Sequence, residues 1–69
     1  MPATYVISIR GQLGETILQA FPGFAAEPGE NSTFLRGVVP DQAALHGVLA
    51  QIEALGLELL EIRQLRAAK

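Results

Sequence analysis

Chemistry, if this chain performs any, is best sought in the run Arg10-Gly11-Gln12-Leu13-Gly14-Glu15-Thr16. Gly11 and Gly14 bracket a short connection at the start of a helical pattern, where free backbone N–H groups can hold a carboxylate or other small anion. Gly11, Gln12, Leu13 and Gly14 are therefore the candidate ligand-binding residues. The spacing is neither that of a Walker loop nor that of a dinucleotide fingerprint. The two glycines also suit a tight strand-to-helix turn that binds nothing.

Other reactive side chains lack companions. His46 is the only histidine and there is no cysteine, so a metal site or an acid–base pair would need a second copy of the chain to supply a partner. Asp41 reads as a helix cap, Glu27 and Glu30 flank a turn, and Glu58 and Glu61 fall on opposite faces of a predicted strand. Ser8 and Ser32 have no nucleophile context. These residues predict a noncatalytic protein without metal or cofactor. The enzymatic alternative is a small oligomer using His46 or Tyr5 as proton donor.

The elements that must position the glycine loop follow from periodicity. Thr4–Arg10 alternates β-branched and aromatic residues as a strand does, with Tyr5, Ile7 and Ile9 on the core side and Val6 beside Ser8 on a partly polar one. ETILQAF predicts a helix of about two turns, with Leu13, Ile17, Leu18 and Phe21 on one side and Pro22-Gly23 ending it. Phe24–Glu27 and Ser32–Val39 predict an antiparallel hairpin across Pro28-Gly29. Gly37 within it implies a bulge or a close backbone approach.

Asp41 to Gly56 carries the clearest helix, begun by the Asp41 cap and stopped by Gly56. Leu45, Val48, Leu49, Ile52 and Leu55 share its buried side at about 3.6 residues per turn. Ala43, Gly47, Ala50 and Ala54 form a second stripe of small side chains, a candidate interface. Gly47 would cost about 1 kcal/mol relative to alanine, which invites a packing reason. In LELLEIRQL a strand fits better than a helix, with Leu60 and Ile62 on one face and Leu57 and Leu59 on the other. Residues 66–69 are expected to fray. The order βαββαβ predicts one α+β domain over residues 1–69, a ferredoxin-like four-stranded antiparallel sheet with two helices on one face.

Composition narrows the class further. Hydrophobic residues make up 49% of 69 residues and charged residues 17%, more apolar surface than so small a core readily hides. A homo-oligomer, with a dimer favoured, or another protein partner is the expected remedy. A net charge of −2 without a basic cluster argues against nucleic acid. No apolar stretch approaches the ~20 residues of a membrane helix, and no signal peptide opens the chain. A soluble cytoplasmic protein is the expectation.

The order of elements, the glycine in QLGETILQAF and the ending LAQIEALGLELLEIRQL, in which an L-x-x-L-x-x-x-G helix end runs into a strand, resemble an ACT-type regulatory domain. The resemblance implies a sheet-forming dimer that binds a small ligand, often an amino acid, at the subunit boundary. Gly14 would match that family's loop glycine. Where the family has an acidic residue before this loop, the chain has Arg10-Gly11-Gln12.

Overall fold

Alternating β-branched residues make Ala3–Arg10 a strand, β1, at the middle of a four-stranded sheet. The computed structural model describes residues 2–65, so the expected fraying of 66–69 lies outside the described residues. After β1 come α1 (Glu15–Leu18), β2 (Phe24–Pro28), β3 (Ser32–Val39), α2 (Gln42–Ala54) and β4 (Leu59–Leu65). The strands lie in the order β2-β3-β1-β4 and every neighbouring pair is antiparallel. This is the ferredoxin-like βαββαβ arrangement that the pattern predicts.

Cross-strand register assigns the two faces. Ile7 stands opposite Leu35 and Ile62, and Ile9 opposite Thr33 and Leu59, so these residues share one side of the sheet. Leu13, Ile17 and Leu18 around α1 and Val48, Leu49 and Ile52 of α2 pack on the same cluster. Ile7, Ile9 and Leu35 are essentially inaccessible to solvent. Each such burial contributes about 1.5–3 kcal/mol. Among the described residues the opposite face of the sheet carries no helix.

α2 keeps the predicted start and stop. The Asp41 carboxylate Oδ1 accepts from the Ala44 N–H at 2.9 Å. At the far end the Gly56 N–H donates to the Glu53 carbonyl and the Leu57 N–H to the Ile52 carbonyl. That pair of bonds closes a helix through a left-handed residue, and Gly56 has φ +73. Leu45, Val48 and Leu49 are half-buried and Ile52 is buried. Leu55 departs from the expected stripe, 40% exposed, because it is the C-cap and lies beyond the last helical turn.

α1 is shorter than predicted. It has four residues, because the chain tightens behind it: the Ala20 N–H donates to the Ile17 carbonyl and the Phe21 N–H to the Leu18 carbonyl. Phe21 still reaches the core, from a turn instead of a helix.

A bulge in β4 corrects a second expectation. Ser8 faces Glu61 but Ile9 faces Leu59, so one extra residue interrupts the ladder there. Leu59 and Ile62 consequently share the helix side, instead of Leu60 and Ile62. The same shift undoes the predicted separation of Glu58 from Glu61. Glu58 Oε1 accepts from Arg10 Nε at 2.8 Å, on the strand whose Ser8 faces Glu61.

Gly37 marks a close approach, since β1 and β3 pair through it without a break. It faces Tyr5 on one side and Phe24 on the other. A Cβ there would stand 2.7 Å from Phe24 Cδ2 and 2.9 Å from the Gly23 carbonyl oxygen. Gly37→Ala is expected to lower unfolding free energy by about 1–3 kcal/mol through overpacking, measured by urea titration against the parent protein.

Candidate functional site

The glycine loop is tied to the β2–β3 hairpin. Gly11 ends β1 with φ +89, a conformation that favours glycine. Its N–H donates to the Asn31 carbonyl at 2.7 Å. The half-buried loop needs partners for its remaining polar groups, and Thr33 provides two. Thr33 Oγ1 donates to the Gly11 carbonyl at 2.8 Å and accepts from the Leu13 N–H at 3.2 Å. Gln12 Nε2 donates to the Gly29 carbonyl at 2.9 Å.

Gly14 caps α1 in extended conformation without a side-chain hydrogen bond. Of the four candidate residues, Gly11 and Leu13 therefore spend their amides on the fold. Among the described residues, the amides of Gln12 and Gly14 are the two this network leaves unused. The one-turn helix behind them supplies little dipole.

On α2 the small-residue stripe lies outside the packed layer. Ala43, Gly47, Ala50 and Ala54 are exposed, and a Cβ added at Gly47 would meet nothing within 4 Å. Among the described residues of one chain Gly47 has no packing reason. His46, on the same helix, is exposed as well. Among the described residues no three His, Asp or Glu side chains converge as a metal set, and no helix is long and apolar enough to cross a membrane.

The open sheet face brings together residues that the sequence keeps far apart. Its central strand presents Thr4, Val6 and Ser8, flanked by Phe34 and Arg36 of β3 and by Glu61 and Arg63 of β4. Arg36 and Arg63 both face Val6, one from each side, while Phe34 and Glu61 both face Ser8. These six residues border a shallow depression of about 250 Å³. Ser8 is buried in it, 8% exposed. Arg63 Nη2 donates to Glu61 Oε2 at 3.0 Å; among the described residues Arg36 has no carboxylate partner.

Nothing local announces this arrangement. The only sequence signal is the polar residue Ser8 beside Val6, which marks the face as partly polar without saying which cations border it.

Residues 4–63, from β1 into β4, match DUF8691, a domain of unknown function. The chain belongs to that family. No curated protein and no solved structure matches it. The DUF8691 domain thus offers three surfaces to weigh: the glycine loop, the α2 back and the open sheet face.

Substitutions at two positions probe the loop and the α2 back. Thr33→Val should cost the DUF8691 domain about 1–3 kcal/mol, since it strands the Gly11 carbonyl and the Leu13 N–H together, and Thr33→Ser should recover most of it in the same chemical melt. Gly47→Ala should instead stabilise α2 by about 0.5–1 kcal/mol. A gain in a dilute sample that turns into a loss of melting temperature in a concentrated one would mean that Gly47 serves a close contact between copies.

Proposed function

We propose that the DUF8691 domain is a noncatalytic, homo-oligomeric binding module that takes a small carboxylate-bearing molecule of amino-acid size on the open face of its sheet. The placement of Arg36 and Arg63 on either side of Val6 carries this reading. A guanidinium offers a planar fork of donors that matches a carboxylate, and Arg36 is the one without an internal carboxylate among the described residues. Across β1 from Arg36, the Glu61 carboxylate paired with Arg63 can also accept from an ammonium group, and Phe34 gives an apolar wall for a side chain. The depression is small and open, which suits a metabolite of few atoms and modest affinity. The resemblance to ACT-type domains supports the same ligand class.

The glycine loop is the rival location, and single substitutions separate the two. A Cβ at Gly14 would meet nothing within 4 Å and its φ is ordinary, so Gly14→Ala should fold unperturbed. The test is an NMR titration of the isotopically labelled chain with a panel of amino acids and small dicarboxylates. Shifts centred on Val6, Ser8 and Arg36, lost in Arg36→Ala and kept in Gly14→Ala, are the expected outcome. The reverse pattern moves the ligand to the loop. A silent panel removes the ligand altogether.

A second reading, assembly without a small ligand, is favoured by a separate observation. Leu59, Leu60 and Ile62 of β4 are at least 36% exposed, and large apolar side chains gathered on one strand usually mark a protein contact.

A further inference from the structure

Three of the five large apolar residues exposed among the described ones, Leu59, Leu60 and Ile62, lie on β4, one edge of the sheet. Each edge strand turns a row of backbone N–H and C=O groups outward, and such edges are commonly guarded by proline, charged side chains, a bulge or shortness. β2 is guarded: it has five residues, ends in Pro28 and shows the small side chains Ala25 and Ala26. β4 has seven residues with neither proline nor lysine. Its Leu59 and Leu60 are 42% and 45% exposed. The bulge is confined to its start, and from Glu61 to Leu65 it runs in unbroken register with β1.

The order of charges along that regular stretch selects the partner. Glu61 and Arg63 lie on the open face and Ile62 between them on the helix side. A two-fold axis normal to the sheet keeps both open faces on one side, so residues that meet across an antiparallel seam must share a face. Centred on Ile62, the seam sets Glu61 opposite the partner's Arg63 and Arg63 opposite the partner's Glu61. Centred on Glu61 or on Arg63, it would oppose like charges, which is unfavourable.

We propose that β4 is a self-complementary seam on which a second copy of this chain docks antiparallel about Ile62, giving one sheet continuous across both copies. The seam covers Ile62 with its own counterpart. It also borders the open depression of about 320 Å³ between α2 and β4, lined by Leu49, Ile52, Leu57 and Leu59. On the other face it brings the partner's Glu61 and Arg63 to the border of the Arg36–Arg63 depression. The seam does not rest on the ligand reading.

Sedimentation velocity over a concentration series, without added ligand, tests it. The parent chain should show a concentration-dependent dimer. Glu61→Arg alone and Arg63→Glu alone should each weaken dimerisation by about tenfold or more, because each turns both opposite-charge pairs into like-charge pairs. The double exchange E61R/R63E should restore it. The two side chains are 56% and 67% exposed, so circular dichroism should report an intact fold in all three variants. Arg36→Ala should leave the dimer intact whatever it does to ligand binding. A parent that stays monomeric, single variants that dimerise like the parent, or a double variant no better than the singles would each overturn the seam.

Discussion

Coverage of the helix-side sheet face is the constraint on which the rest of this domain depends. Four strands must be sealed by one helix of thirteen residues and another of four. The available side chains are spent on the two central strands, where Ile7, Ile9 and Leu35 are sealed. Fully burying such residues contributes about 1.5–3 kcal/mol each, so a marginal small domain gains most by closing its centre first. β4 is what remains uncovered. Ile62 has the same partner, Ile7, that Leu35 has on the other side, yet it is 36% exposed where Leu35 is 1%.

The short α1 also explains why the glycine loop is tied down so firmly. A single turn gains little from its own backbone, since helix nucleation is unfavourable, so tertiary contacts must place it. Thr33 does so from the middle of the hairpin, joining β1, the loop and β3 through one hydroxyl. The cost falls on binding capacity. An amide that donates to Thr33 or Asn31 is not available to an anion, and the loop that looks most like a binding motif is largely occupied by its own structure.

Local signals carried most of the fold. The Asp41 cap, the Gly56 stop and the alternation of Thr4–Arg10 each act within a few residues, so they can be read from the chain. The bulge in β4 cannot, because LELLEIRQL alternates plausibly in either phase and only pairing with β1 shows where the extra residue falls. The α1 length was missed for a related reason: Phe21 fits a helical stripe but reaches the core from a turn. The Arg36–Val6–Arg63 rung was least legible of all, since it is created by two registers, β1 with β3 and β1 with β4, and by no local pattern.

β4 belongs both to the open sheet face and to an exposed sheet edge, and this sharing has a thermodynamic consequence. Arg63 and Glu61 border the open-face depression and are also the charged pair of the β4 edge. A ligand that draws on Arg63 changes the charge a second copy would meet at that edge. Docking of a second copy would equally change the field that a ligand on the open face would meet. Linkage makes such effects reciprocal: whatever factor the ligand imposes on dimerisation, dimerisation imposes on ligand affinity. In this fold a single exposed ion pair, Glu61–Arg63 at 3.0 Å, is where the two surfaces meet.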